Sequence, residues 1–176
     1  VYASTGTNLY TLDPETGEAT LVGPFNTSEG ETMIAIAVDT DGNIYGHGID
    51  LSDAPDKLFS IDPETGAASL IGSTGVDAFF AQGMDFDPDT GQLYMAWYQG
   101  GGVGGLRTVD PETGASELVG PFQGDEIGFM AVPSAGFIFI DNDLQAGTLA
   151  PGRRITLGVH HRVAGPIPRA DHRHLH

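Results

Sequence analysis

The stretch Leu58-Phe59-Ser60-Ile61-Asp62-Pro63-Glu64-Thr65-Gly66-Ala67-Ala68-Ser69-Leu70-Ile71-Gly72 decides the fold. Strand-forming residues, an Asp-Pro-Glu-Thr-Gly sequence and more strand-forming residues make a β-hairpin whose turn chemistry can be named. Proline presets φ at the first turn position, the aspartate side chain accepts the turn amides, and glycine takes the left-handed position that closes the turn. The flanking residues are apolar on both faces: Leu58, Phe59 and Ile61 before the turn, Leu70 and Ile71 after it. A sheet with one wet side would alternate instead, so this one is expected to be covered on both faces.

Close copies stand on either side. Leu9-Tyr10-Thr11-Leu12-Asp13-Pro14-Glu15-Thr16-Gly17 closes with Leu21-Val22-Gly23, and Leu106-Arg107-Thr108-Val109-Asp110-Pro111-Glu112-Thr113-Gly114 closes with Leu118-Val119-Gly120. Asp13, Asp62 and Asp110 are spaced by 49 and 48 residues, so the chain is a tandem array. The repeated acids Asp13, Asp62, Asp110, Glu15, Glu64 and Glu112 read as turn formers and solvating groups rather than ligands.

Between the copies lie further strands. Met33 to Val38, the turn Asp39-Thr40-Asp41-Gly42-Asn43 and Ile44 to Gly48 precede the central hairpin. Gly83 to Asp87, the turn Pro88 to Gly91 and Gln92 to Trp97 precede the third, and another start appears at Gly128 to Val132 and Phe137 to Ile140. Four short strands per roughly 48 residues, with no helical periodicity, is the pattern of a β-propeller blade. The predicted fold is all-β, a β-propeller of about three and a half to four four-stranded blades. The units are residues 1–25 (a partial first blade), 26–75, 76–122 and 123–167 (a degenerate or partial fourth), with 168–176 as a His/Arg-rich tail. The first unit lacks its innermost strand and the chain starts at Val1, so it is expected to be processed or part of a larger propeller.

The pattern Ile34 to Gly46 followed by Leu58 to Gly72 resembles bacterial secreted or surface propellers of the NHL, YVTN and WD-like superfamily. In particular it is similar to repeats reading LYxIDPxTGxxTxVG. The resemblance covers residues 1–140, and the aromatic-Asp signature of true WD repeats is absent. It implies a propeller at the cell surface or outside the cell; because that superfamily holds lactonases, lyases, adhesins and inert scaffolds, it implies no single activity.

Charge excludes some partners. The net charge is −17, yet residues 1–150 hold 23 of the 24 acids with only Lys57 and Arg107 as bases, about −21 for that part. Such a body repels nucleic acid and anionic membrane. There is no cysteine, so no disulfide or thiolate chemistry is available. No apolar run is long enough to span a bilayer.

From about Leu149 the composition changes: Arg153, Arg154, Arg162, Arg169 and Arg173 cluster with His160, His161, His172, His174 and His176. Arg154 to Leu157 and Val163 to Ile167 align with the hairpin strands of a degenerate fourth blade. A lost reading frame in a GC-rich gene accounts for the same composition equally well. A third reading makes His172, His174 and His176 a metal-chelating tail.

In a propeller, the loops after the second and fourth strands of each blade share one face. That face collects His47, Asp50, Asp53, Asp56, Phe79, Phe80, Trp97, Tyr98, Asp125, Glu126, Asp141 and Asp143. Aromatic rings beside carboxylates suit a sugar or a cation, so Trp97, Tyr98, Phe79, Phe80 and His47 are the candidate ligand contacts, with packing of Trp97 and Tyr98 between blades as the competing role. Asp85 joins them, because it aligns with Ala37 and Ala131 in a channel-lining strand, where a charge needs water, a partner or an ion. Asp39, Asp41 and Asn43 have the oxygen-donor spacing that opens a calcium loop, without its distal glutamate, a reading that competes with a plain turn; the cofactor such a loop would hold is Ca2+. No nucleophile elbow, zinc helix or phosphate loop is present.

The expected function is a non-catalytic binding or scaffold propeller of a secreted or cell-surface protein. Its partner would be a carbohydrate or protein ligand, with homo-oligomers formed through open blade edges. The alternative is a calcium-dependent hydrolase or lyase of the lactonase-like kind.

Overall fold

Each Asp-Pro-x-Thr-Gly sequence closes a hairpin by one set of bonds. In the computed structural model, Asp62 Oδ1 accepts the N–H of Glu64 (2.8 Å) and Thr65 (3.1 Å), Gly66 N–H reaches Asp62 O (2.8 Å), and Gly66 has φ of 77°. The turns at Asp13 and Asp110 repeat this, and so does a fourth at Asp87, where Gly91 has φ of 73°. One turn recipe therefore serves both between the first two strands of a unit and between its last two.

The structure describes residues 1–28, 30–50, 54–79, 83–124 and 126–134, all within one compact unit, Val1–Phe137. It is all-β, with no helix among the described residues. The strands are β1 (Tyr2–Ser4), β2 (Asn8–Leu12), β3 (Ala19–Pro24), β4 (Glu31–Val38), β5 (Ile44–Asp50), β6 (Ala54–Ile61), β7 (Ala68–Ser73), β8 (Met84–Phe86), β9 (Leu93–Gly100), β10 (Val103–Val109) and β11 (Ser116–Pro121). They form three antiparallel meanders: β1-β2-β3, β4-β5-β6-β7 and β8-β9-β10-β11. The first sheet has no strand inside β1 among the described residues, where the other two have β4 and β8. The inner strands are neighbours, β4 lying against β8 and β1 against β4.

Successive side chains of a strand point to opposite faces, and the repeat uses both. Leu58 joins Ala35, Ala37, Met84, Phe86, Leu93, Met95 and Val109 between the second and third sheets. Phe59 and Ile61 join Leu9, Phe25, Met33 and Ile44 between the first and second. Strand β6 of the central hairpin is thus covered on both faces, as its composition predicts. The outermost strands depart from that expectation, since Leu21, Leu70 and Leu118 are 56%, 60% and 53% exposed. The reason lies in the bulge that each hairpin carries at Leu9/Tyr10, Leu58/Phe59 and Leu106/Arg107, which turns the outer strand relative to its partner.

Neighbouring sheets also meet backbone to backbone. A Cβ on Gly23 would stand 2.1 Å from Thr65 O, and one on Gly72 would stand 2.0 Å from Thr113 O. Reciprocally, a Cβ on Gly66 or Gly114 would run into the backbone of Gly23 or Gly72. Gly23 and Gly72, each ending a Leu-Val/Ile-Gly sequence, therefore seat the Thr-Gly turn of the next unit, and only glycine leaves the room.

Candidate functional site

The register of the β5–β6 hairpin, with His47 opposite Leu58, sets His47 and Asp56 on one face as diagonal neighbours. His47 Nε2 lies 2.9 Å from Asp56 Oδ2, and the two residues are 0% and 1% exposed. Desolvation pushes the Asp56 carboxyl up from its ordinary range, and the hydrogen bond from His47 pulls against it. His47 Nδ1 and Asp77 Oδ1 are buried without a hydrogen-bond partner among the described residues.

A polar chain continues from this pair into the third sheet. Asp56 O accepts Thr74 N–H (2.8 Å) and Thr74 Oγ1–H (3.1 Å), and Asp56 N–H reaches Val76 O (2.8 Å). Thr74 O accepts the Ser116 hydroxyl (2.6 Å), Ser116 takes two bonds from the Arg107 guanidinium, and Arg107 lies 5.5 Å from the Trp97 ring centroid. Desolvation lowers the Arg107 pKa. Trp97 Nε1–H donates to Asp77 O, returning the chain to the loop after β7. Thr74, Asp77, Arg107 and Ser116 escape a motif search because no local spacing links them; only the strand registers bring them together.

The loop after β7 exposes an aromatic ring. Phe79 is 49% exposed, and its N–H donates to Tyr98 O (3.2 Å). The Tyr98 hydroxyl accepts the N–H of Gly102 (3.1 Å) in the β9–β10 turn, where Gly100, Gly101 and Gly102 all have positive φ. Trp97 is only 9% exposed and belongs to the core, so it turns away from the ligand role expected of it, as does the sealed His47. Their strands alternate, and both fall on the face that the neighbouring sheet covers. Phe80, Asp53, Asp125, Asp141, Asp143 and the C-terminal histidines lie outside the described residues.

Asp85 stands in the inner strand β8 with its carboxylate engaged by backbone donors. Phe86 N–H reaches Oδ1 (2.9 Å) and Val132 N–H reaches Oδ2 (2.8 Å), so this half-buried carboxylate holds Val132 beside β8. In the turn at Asp39, Oδ1 accepts Asp41 N–H (2.9 Å) and Asn43 N–H (2.8 Å), while Oδ2 accepts the Asn43 side-chain amide (2.8 Å). Desolvation opposes these bonds, yet together they hold Asp39 below the ordinary range. The turn's own donors occupy the Asp39 carboxylate, and Asn43 offers it nitrogen. No group of three or more His, Asp or Glu that could hold a metal ion occurs among the described residues.

The groove lined by Asn26, Ser28, Glu31, Lys57, Phe59 and Leu70 holds about 210 Å³, short of the roughly 300 Å³ at which small-molecule pockets begin. Lys57 is paired there with the buried Glu31. Of the bases among the described residues, Lys57 is thus bound to an acid and Arg107 to Ser116.

No family model matches the sequence, and no curated protein matches it. Among solved structures the chain is similar to a protein of unknown function from Bacteroides caccae, with a TM-score of 0.46 and 14% identity over 80% of this chain and 46% of that one. It is also similar to a nidogen/laminin complex, with a TM-score of 0.31 and 14% identity over 68% of this chain and 60% of that one. The chain spans less than two thirds of the length of either.

Proposed function

We propose that the three sheets are successive blades of a β-propeller acting as a non-catalytic binding module of a secreted or cell-surface protein, with the Phe79–Tyr98 edge as its ligand contact. The blade reading is supported by the 48–49-residue period, the outward order of each meander and the adjacency of β4 with β8 and with β1. A net charge of −17 on a surface built from turns favours a soluble, extracellular setting.

The observation that carries binding rather than catalysis is the contrast between Phe79, 49% exposed, and the His47–Asp56 pair, 0% and 1% exposed. A general base must touch the proton it removes, and this pair touches no solvent-filled cleft. A half-exposed phenyl ring fixed to Tyr98 through the main chain is preorganised to stack on a sugar face. The lactonase-like alternative needs convergent carboxylates, and those of Asp39 and Asp85 serve backbone amides instead.

The test uses the lone tryptophan, Trp97, whose indole is tied to Asp77, two residues before Phe79. Titration with cello- and chito-oligosaccharides should change Trp97 fluorescence saturably, and Phe79→Ser should weaken binding about tenfold or more at unchanged circular dichroism, in line with a single aromatic anchor. Hydrolysis of a lactone or ester panel by the purified chain, or binding indifferent to Phe79→Ser, would contradict the proposal.

A further inference from the structure

Asn26-Thr27-Ser28 is an Asn-x-Ser sequence in which x is not proline, the acceptor pattern for N-linked sugars. It stands in the loop after β3, and the sequence holds no second copy, because Asn8, Asn43 and Asn142 are followed by residues that do not complete it. The carboxamides of the two other asparagines among the described residues are tied into their loops. Asn8 Nδ2 donates to Thr7 Oγ1 (3.0 Å) and Asn43 Nδ2 to Asp39 Oδ2 (2.8 Å). Asn26 and Ser28 are exposed instead, and neither the Asn26 carboxamide nor the Ser28 hydroxyl is hydrogen-bonded among the described residues.

The backbone sets Asn26 apart independently of the motif. The first two units open this loop with the same bond: Phe25 N–H donates to Thr7 O (2.9 Å) and Thr74 N–H to Asp56 O (2.8 Å). The next residue then enters the left-handed region, Gly75 with φ of 76° and Asn26 with φ of 55°. Asn26 is the only residue other than glycine with positive φ among the described residues. Glycine takes this conformation freely, and asparagine is among the few residues that tolerate it. Past the motif the loop is anchored again, Ser28 N–H donating to Glu31 Oε2 (2.9 Å) and Glu31 N–H to Ser28 O (3.1 Å). Main-chain bonds thus hold the loop on both sides and leave the two motif side chains free.

We propose that Asn26 is the attachment site of an N-linked glycan. The donor is an oligosaccharide carried on a polyprenyl diphosphate. Asn26 Nδ2 attacks the anomeric carbon, a C–N bond forms, the anomeric C–O bond to the diphosphate breaks, and the amide gives up one proton as the lipid diphosphate leaves. The Ser28 hydroxyl completes the pattern that the transferase reads. Asn26 also lines the groove that holds Ser28, Lys57 and the 60% exposed Leu70, so the first sugar starts beside an exposed leucine and displaces no packed side chain. A bulky, solubilising surface group suits that position. Glycosylation here rests on the extracellular setting of the functional reading, and on neither the propeller nor the Phe79 edge.

The test expresses the full 176-residue chain behind a cleavable signal peptide in a yeast secretory pathway, with a second Asn-x-Thr sequence in a C-terminal tag. Glycopeptide mass spectrometry should find a glycan on the peptide containing Asn26, and an amide-cleaving glycosidase should leave aspartate at position 26. Asn26→Gln and Ser28→Ala should each abolish the modification, and Ser28→Thr should keep it. Because Asn26 is exposed, the glycosylated chain should melt no lower than Asn26→Gln, with the same circular dichroism. A bare Asn26 in chains whose tag is glycosylated would overturn the proposal. So would a glycan that lowers the melting temperature by several degrees, since it would place the Asn26 side chain in the packed fold. Titration of Asn26→Gln with free oligosaccharides reads the Phe79 edge by itself, so failure of the binding reading and failure of the acceptor site are distinguishable.

Discussion

His47 Nε2 and Asp56 Oδ2 stand 2.9 Å apart across the β5–β6 hairpin, in a place that water does not reach. Removing one member leaves the other buried and unpaired, so Asp56→Ala should lower the free energy of unfolding in urea by about 3 to 5 kcal/mol. The double replacement His47→Leu with Asp56→Leu should cost less than Asp56→Ala alone, since apolar side chains satisfy that site without desolvated charge. A loss below about 1 kcal/mol for Asp56→Ala would show that the buried pair contributes little to the stability of the fold.

Stability should fall on the acid side. Bonds from the backbone N–H groups of Glu15, Glu64 and Glu112 are the leading cause that lowers Asp13, Asp62 and Asp110, and the Thr90 hydroxyl is the leading cause at Asp87. A depressed folded pKa contributes stability that is full above the unfolded value and lost as pH drops through the folded one. Asp56, raised chiefly by desolvation, has the opposite sign and favours the fold at low pH. With Asp39, lowered against desolvation by the bonds of its own turn, five lowered groups outnumber it, so the melting temperature should decline from about pH 4 downward. Asp62→Asn, which keeps an acceptor for the turn, should make that decline shallower. A melting temperature that rises on acidification would refute this balance.

The Lys57–Glu31 pair joins β6 to β4 within the second sheet, and Glu31 also holds the segment that leads into β4. Glu31 is 8% exposed and also takes the Ser28 N–H (2.9 Å), so Lys57→Met strands a buried carboxylate. The expected loss is about 1 to 3 kcal/mol, read from urea denaturation, with Glu31→Gln in the same background recovering part of it. No recovery would mean that Lys57 acts through its packed stem alone.

The hairpins were readable because their causes are local. Asp62, Pro63 and Gly66 act on each other within one turn, and the same letters recur at Asp13 and Asp110. What the sequence conceals is set by register. Nothing near His47 announces Asp56, although pairing Gly48 with Lys57 would have brought them together. Trp97 and Phe79 are both aromatic residues in loop-proximal positions, and only alternation along β9 decides that the indole faces the neighbouring sheet. Asp85 looked like an ion ligand by alignment; its carboxylate holds the Val132 amide, a bond between residues 47 apart that no spacing rule foresees.

Gly23, Gly72 and Gly120 are spelled alike yet differ in surroundings, and urea unfolding of their three alanine variants, in a dilute monomeric sample, tests the stacking of the sheets most directly. The added Cβ meets a carbonyl oxygen at 2.1 Å in Gly23→Ala and at 2.0 Å in Gly72→Ala, so each should lose about 3 kcal/mol. Gly120→Ala should change stability by no more than about 0.5 kcal/mol. Equal losses at all three positions, or none at Gly23 and Gly72, would contradict the account of how one unit seats the next.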